Sequence, residues 1–396
     1  MQVSNIKTDV ISVADNLTKN KEFADIPTEL MPTSKNYMIS FELHNCNTAT
    51  ANAIRICTLE EIEWKALEVD LSQIKTTEPD VILNELRDRI SFIPINQDVP
   101  DDVKFSLHIA NKEMHDIVAY TGAITRTGGA GSAGSTSSKE SVFDERFRLV
   151  LLSPGKTLDI NDIKVVKGHG FQHAKFTTCN FEYNILDYTD VYYLSNKEQI
   201  LSHMTSNASI HEEMKRMKLR GSLVNARILA IPDTNILGIC SERTKQKIST
   251  YDIILENSKL SPTPSSVANP ESFYLSFTFF CKVDVKEVMA RVMQTLINRL
   301  TFIQEHLLTP STNIEITLTD NFASILIRGE DDVIGNLIAK NVMILDPSVG
   351  MINYMKIHPS NRSVIIKVIH SQPLKIVSDA ITKVIADLTD IQKAFT

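Results

Sequence analysis

The chain has 396 residues, 43% of them hydrophobic and 22% charged, which gives two or three domains with sizeable cores and excludes a globally disordered polymer. A formal net charge of -7 and a pI near 5.8 tell against wholesale nucleic-acid binding, which needs a surplus of Lys and Arg on some face, although local basic patches stay open. Five cysteines, at 46, 57, 179, 240 and 281, are odd in number and widely spaced with no C-x-x-C pair, which suits buried free thiols in a reducing compartment.

MQVSNIKTDV has neither a basic n-region nor an apolar h-region, so no signal peptide is expected. The longest apolar stretch, Phe273 to Cys281, is nine residues, far short of the ~20 that span a bilayer. A soluble intracellular protein is the expectation.

Residues 1 to 35 are mixed and polar and read as a peripheral N-terminal extension. Tyr37 to Leu43 reads as a strand, and cap-forming residues from Asn45 to Thr48 precede a helix over about 49 to 62. WKALEVDLSQI reads as a strand, and DVILNELRDRISFIPI as a helix broken by Pro94, with Ile82, Leu83, Leu86 and Ile90 on one face. Strand-like stretches at Lys104 to Ile109, Ile117 to Ile124 and Phe147 to Leu152 flank the low-complexity tract Gly128 to Ser138, an expected flexible loop. Phe176 to Tyr183 is a further strand, while residues 195 to 258 carry few signals.

Pro262, Pro264 and Pro270 punctuate a loop before the strand SFYLSFTFFCKVDV. A long helix follows from about 285 to 308, with Met289, Val292, Leu296, Leu300, Ile303 and Leu307 at steps of three and four, the mark of a core or partner-facing seam. After the short LTPST connection come strands at Ile314 to Leu318 and Phe322 to Ile327, a helix from Val333, and a strand from Ser363 to Ile369. Val377, Ile381, Val384, Leu388, Ile391 and Phe395 mark a C-terminal helix with the same spacing as the helix before the junction. The chain thus repeats one plan in two units, an α+β arrangement whose apolar stripes are expected to pack on each other. Joining the units in one chain raises their effective concentration towards the millimolar range.

Three stretches of the first unit carry a family resemblance. NTATANAIRICTLEEIEWKALEVD, residues 47 to 70, contains Asn52 and Arg55 of an Ala-Asn-x-Leu-Arg-Arg helix, with Ile56 replacing the second arginine and Glu63 a proline. ILNELRDRISFIPI, residues 82 to 95, matches a His-Arg-Leu-Gly-Leu-Ile-Pro segment at Arg89, Ile93 and Pro94, with Asp88 in place of the histidine. The most specific is LLSPGKTLDINDIKVVKGHGFQHAKFTTCNFEYN, residues 151 to 184. There Pro154, Gly155, Lys167, Gly168, Gly170, His173, Ala174 and Lys175 fit a Pro-Gly-x-x-Leu entry followed by Lys-Gly-x-Gly-x-x-His-Ala-Lys-Trp, with Phe176 for the tryptophan. In the second unit Gly335, Asn336 and Leu337, then His358 and Pro359, match a run centred on Glu-Asp-His-Thr-Leu-Gly-Asn-Leu.

These residues resemble the alpha-like subunits of eukaryotic, archaeal and large-DNA-virus multisubunit DNA-directed RNA polymerases, the first unit the larger (archaeal D) partner and residues 313 to 396 the smaller (archaeal L) one. The resemblance covers about three quarters of the chain, missing residues 1 to 35 and most of 195 to 258. Fusion of the two is a habit of nucleocytoplasmic large DNA viruses.

The resemblance implies two alpha-like dimerisation modules forming an intrachain pseudo-dimer, residues 36–97 with 268–310 and residues 311–396, the first carrying a β-rich insert at 98–267. It implies a non-catalytic assembly scaffold that gathers the largest and second-largest polymerase subunits and a small zinc-bearing adaptor, with no direct nucleic-acid or membrane contact, in the cytoplasm (a viral factory or virion) or the nucleus. Catalysis falls to other chains, since the Asp-x-Asp-Gly-Asp magnesium pattern is absent from this one.

The pseudo-dimer core is expected at Leu296, Leu300, Ile303, Leu337, Ile381, Val384 and Leu388. Subunit contacts are expected at Asn52, Arg55, Arg89, Lys167, His173, Lys175, Gly335 and Asn336. Arg55 suits a bidentate contact to a partner's carboxylate or backbone, or else is a solvated helix charge. Lys167, His173 and Lys175 are either docking groups or parts of a structural turn.

His169, His173 and Cys179 lack the spacing of a structural zinc site, and no metal or other cofactor is expected in this chain. The tract with Gly128, Gly129, Gly131 and Gly134 lacks the G-K-[ST] ending of a phosphate loop, and Glu330, Asp331 and Asp332 read as dipole partners of a helix start. The alternatives are a free-standing nucleotide-binding enzyme using the Gly-rich tract and a homodimeric structural protein whose stripes pair between chains.

Overall fold

The computed structural model describes residues 1–18, 31–79, 81–128, 142–185, 272–307, 309, 312–358 and 361–396. The Gly-rich tract beyond Gly128, the poorly patterned 195 to 258 stretch and the Pro-punctuated loop lie outside them. In chain order the elements are β1 (Gln2–Ser12), α1 (Val13–Thr18), β2 (Lys35–His44), α2 (Thr48–Ile56), β3 (Glu63–Glu68), β4 (Ile74–Thr76) and α3 (Leu83–Ser91). There follow β5 (Lys104–Ala110), β6 (Ile117–Tyr120), β7 (Ile124–Gly128), β8 (Arg148–Leu152), β9 (Thr157–His169), β10 (Cys179–Ile185), β11 (Ser272–Phe279) and α4 (Val285–His306). The last are β12 (Ile314–Thr319), β13 (Phe322–Arg328), α5 (Asp332–Leu345), β14 (Met351–Lys356), β15 (Ser363–Ile369) and α6 (Pro373–Lys393).

The residues gather into two compact units. The smaller comprises residues 1–4, 41–51 and 183–275. Its described part buries Phe41 and Leu43 and ties Ser4 to Glu42 at 3.2 Å, with His44 Nδ1 3.3 Å from Ser272 Oγ. Asn47 begins α2 there, its Oδ1 accepting from the Thr50 N–H at 2.9 Å.

The larger unit comprises residues 5–40, 52–182 and 276–396. A five-stranded antiparallel sheet runs β3-β9-β5-β7 with β4 also on β9, and β6 pairs with β8. Leu67, Leu107, Leu152, Leu158, Ile160 and Ile163 share a buried core there with Leu86 and Ile90 of α3. Of the face expected on that helix, Leu86 and Ile90 are buried, but Leu83 is 36% and Ile82 58% exposed. The Ile82 backbone is still extended, at φ -82° and ψ 106°, so the helical period does not reach it.

The C-terminal sheet has the order β12-β13-β15-β14, antiparallel throughout, with Ile325 opposite Ile366. Ala323, Ile325, Ile327, Val364, Ile366 and Val368 make its buried face, the period-two pattern of a half-buried sheet. Helix α5 packs against this sheet so closely that a Cβ on Gly335 would stand 2.7 Å from Val364 Cγ2 and 3.1 Å from Tyr354 Cβ. A glycine is required there by contact distance.

The two long helices start differently, α4 on a side-chain cap and α6 on a proline. Asp284 accepts from the N–H groups of Lys286 (3.0 Å) and Glu287 (3.1 Å) to start α4, and Pro373 occupies the first turn of α6. The two helices pack antiparallel. Gln304, near the end of α4, donates to Thr382 Oγ1 at 2.6 Å, while Gln392, near the end of α6, donates to the Ala290 carbonyl at 3.1 Å and Gln294 Oε1 at 3.0 Å. Between these polar ends Leu296, Leu300, Ile303, Ile381, Val384 and Leu388 have no exposed surface, and neither does Leu337 of α5. Burying such a side chain contributes roughly 1.5–3 kcal/mol.

Strand β1 falls where the sequence suggested a polar extension, and Val3, Ile6, Val10 and Ile11 supply its β-forming character. No described helix is long and apolar enough to cross a membrane.

Candidate functional site

Helix α2 does not stop at Ile56. It widens into a π-turn, Cys57–Glu61, before Ile62 turns to extended backbone, and Thr58 Oγ1 donates back to the Ile54 carbonyl at 2.8 Å. The turn carries Glu60 and Glu61 to a junction where α4, the loop before α5 and the loop before β15 bring their own charges. Arg299 of α4 reaches Glu330 through Nε at 3.0 Å and through a still closer Nη2 contact, Asp331 at 3.5 Å and Glu61 at 3.7 Å. Arg362 donates from Nη2 to Glu61 Oε1 at 2.6 Å and Asp331 Oδ2 at 3.3 Å. Glu61 and Arg299 come from the first half of the sequence pattern, and Glu330, Asp331 and Arg362 from the second.

Three carboxylates thus face two guanidinium groups in a nearly dry place: the side chains of Glu61, Arg299 and Glu330 are 9%, 14% and 11% exposed. Burial pushes the Glu330 carboxyl up despite the pull of Arg299. Burial also works against the charge of Arg299, but the bond to Glu330 and the charges of Glu330, Glu61 and Asp331 more than offset it and hold the guanidinium protonated. Glu60 is raised by burial and by its acidic neighbours Glu61 and Asp331. Buried charges persist where they are paired in this way.

Glu330, Asp331 and Asp332 were expected to serve the helix dipole. Asp331 does cap α5, accepting from the Val333 N–H at 3.1 Å, while Glu330 belongs to Arg299. Arg299 stands beside the stripe, next to Leu300, and nothing in the sequence marked it as part of a cluster. Glu61 and Arg362, 301 positions apart, were not marked either.

The expected contact residues are distributed as follows. Arg55 donates from Nε and Nη2 to Asn52 Oδ1 at 3.1 and 2.8 Å and stands 5.8 Å from the Phe181 ring centroid. Arg89 donates to the Leu149 carbonyl at 2.9 Å, bracing α3 on β8. Lys167 pairs with Asp101, which also takes Lys65 at 3.0 Å, and the hydrogen bonds of the two lysines hold the Asp101 carboxyl below its usual range.

Lys175 pairs with Glu68 at 2.8 Å, only 11% of its side chain exposed, and His173 Nδ1 accepts from the Lys175 N–H at 3.1 Å, starting a 3-10 turn. The structure therefore puts His173 and Lys175 on the loop after β9 and Lys167 near the end of β9 itself, and puts Asn52 and Arg55 together on α2. Gly335 is buried against its own sheet, with Asn336 half-buried beside it.

His169, His173 and Cys179 have separate engagements. His169 Nδ1 lies 3.1 Å from the Glu61 carbonyl, and the Cys179 thiol is buried. Among the described residues no group of three or more His, Cys, Asp or Glu side chains is arranged to hold a metal ion. Cys46, Cys57, Cys179 and Cys281 are buried, and burial pushes the Cys179 and Cys281 thiols up to about 12, which suppresses the nucleophilic thiolate.

Residues 323–394, which hold all but the first residue of β13 and the whole of α5, β14, β15 and α6, match the family model described as the RNA polymerase Rpb3/Rpb11 dimerisation domain. The C-terminal part of the chain is thereby similar to the alpha-like dimerisation class. The chain is also similar to two proteins named DNA-directed RNA polymerase RPB3-11 homolog, both of African swine fever virus, from a Kenyan pig isolate and a Malawian tick isolate. Each is 27% identical over 176 residues, covering 43% of this chain and 46% of the relative. The chain thus spans about half the length of the curated relatives it matches. The resemblance to alpha-like polymerase subunits of a large DNA virus, carried in the sequence by short motifs, stands on both matches.

Proposed function

We propose that this chain is a subunit of a DNA-directed RNA polymerase and acts as an assembly scaffold, its two alpha-like modules sealed on each other as an intrachain pseudo-dimer. The observation that carries the reading is the antiparallel seam of α4 and α6, in which each helix buries its stripe against the other, so that neither of these two stripes is left for a second copy of the chain. With these stripes consumed within the chain, they are not there to pair between chains as the homodimer alternative requires. The partners are the second-largest and largest polymerase subunits, with a small zinc-bearing adaptor, and the chain itself contributes neither catalytic groups nor a cofactor.

Arg55 is the first contact to examine. Its planar fork is held by an uncharged neighbour, Asn52, and no carboxylate is within ion-pair distance among the described residues, so the guanidinium is available to a partner's acidic group. In co-expression with the second-largest subunit, Arg55→Glu is expected to lower recovery of the complex at unchanged thermal stability of the scaffold. Full recovery from Arg55→Glu, and equally from Val384→Asp in the seam, overturns the proposal.

A further inference from the structure

The loop after β9 is not held by its own strand alone. The Phe171 N–H donates to the Glu60 carbonyl at 3.3 Å, His169 Nδ1 lies 3.1 Å from the Glu61 carbonyl, and a Cβ on Gly170 would run into the carbonyl oxygen of Leu59. The loop therefore rests on the π-turn, through long and partly exposed hydrogen bonds of the kind that open first.

Arg362 enters at the same point from the other end of the chain. One nitrogen, Nη2, serves Glu61 at 2.6 Å and Asp331 at 3.3 Å, Nε donates to the Gly329 carbonyl at 3.3 Å, and the guanidinium carbon stands 4.2 Å from the centroid of the Phe171 ring. That ring is 44% exposed and is itself stacked on His169, with centroids 5.4 Å apart and planes 15° from parallel. A flat cation over a partly exposed ring is a specific contact, which lysine does not reproduce.

We propose that Arg362 is a positioning residue that couples pairing of the C-terminal module to the shape of the loop carrying His173 and Lys175, so that the loop takes its docking form only when the seam is closed. The consequence for a partner rests on the reading of Lys167, His173 and Lys175 as docking groups. The coupling itself rests only on the contacts of Arg362, Glu61 and Phe171. Two discrete arrangements of the loop, biased by the module that supplies Arg362, would make presentation of the site conditional on correct folding of the scaffold.

Hydrogen–deuterium exchange of the full chain, read by mass spectrometry, tests the coupling. In Arg362→Ala, peptides covering 168–176 are expected to exchange about tenfold faster, while seam peptides from 292–303 and 380–391 keep wild-type rates. Phe171→Ala should do the same, and the double variant should add nothing to either single one.

Wild-type loop exchange in Arg362→Ala, or additive effects in the double variant, overturns the proposal. If Arg362→Ala opens the seam as well, Arg362→Lys carries the test, because it keeps a charge beside Glu61 without a planar group over Phe171. Faster loop exchange over an intact seam then supports the coupling, and an unchanged loop refutes it. Capture of the co-expressed second-largest subunit by Lys167→Glu and His173→Ala variants is read separately. Undiminished capture counts against the docking role of the loop and leaves the exchange result to decide the coupling.

Discussion

Replacing Arg299 by methionine removes the guanidinium that Glu330, Asp331 and Glu61 share while keeping most of the side-chain volume. Among the described residues the Glu330 side chain has no other hydrogen-bond or ion-pair partner and is only 11% exposed, so its charge would be left buried without compensation. Breaking a buried pair in this way costs about 3–5 kcal/mol. Urea unfolding of the full chain at pH 7.5, followed by far-ultraviolet circular dichroism, should therefore give a midpoint well below wild type.

The pH dependence identifies the cause. Glu330 already has a folded-state pKa above its ordinary value, so below the unfolded pKa the folded chain has the full benefit of the proton, and that benefit is lost as pH rises through the folded pKa. Without Arg299 the folded pKa rises further. The deficit of the variant should then shrink as pH falls from 7.5 towards 5, and Arg299→Met with Glu330→Gln should recover most of it. A loss under about 1 kcal/mol at pH 7.5, the range of an exposed pair, or a deficit independent of pH, would refute the assignment of a buried, charged cluster.

Further outcomes follow from single contacts. Gly335→Ala puts a methyl group 2.7 Å from Val364 Cγ2, and overpacking of that kind should cost about 1–3 kcal/mol, seen as a lower melting temperature. Val384→Asp buries an unpaired carboxylate between α4 and α6 and should abolish cooperative unfolding of the seam, read by calorimetry. Iodoacetamide at pH 8 should leave Cys57, Cys179 and Cys281 unmodified in the native chain and label them in urea, as mapped by mass spectrometry, because burial pushes all three thiols up.

Much of the architecture was legible because it is written in local periodicity. The stripes of α4 and α6 are the same steps of three and four that the sequence displays, and β13 and β15 alternate as read, whereas β14 had not been read as a strand. The ends of elements were less legible where a change of backbone intervenes: Ile82 looked like part of a helical face but precedes the helix, and the expected helix over 49 to 62 ends in a π-turn that no residue type announces.

The charged junction was largely illegible, for a physical reason. Glu61, Glu330 and Arg362 look like ordinary surface charges in sequence, and they become a cluster only after folding brings positions 301 apart within 2.6 Å. Lys167, His173 and Lys175 were read together from one short motif, but Lys167 lies in β9 and only His173 and Lys175 in the loop after it, and motif spacing said nothing of Asp101 and Glu68, which hold the two lysines.

The central claim is that one copy of this 44.4 kDa chain closes its own seam and gathers much larger chains on its outer surface. The most direct test is purification of the tagged chain from native extract, with the mass of the complex and the identity and stoichiometry of its components measured together. The account predicts a single copy with the two largest polymerase subunits in equal amount. Recovery of the chain as a dimer of itself, free of those subunits, would contradict it.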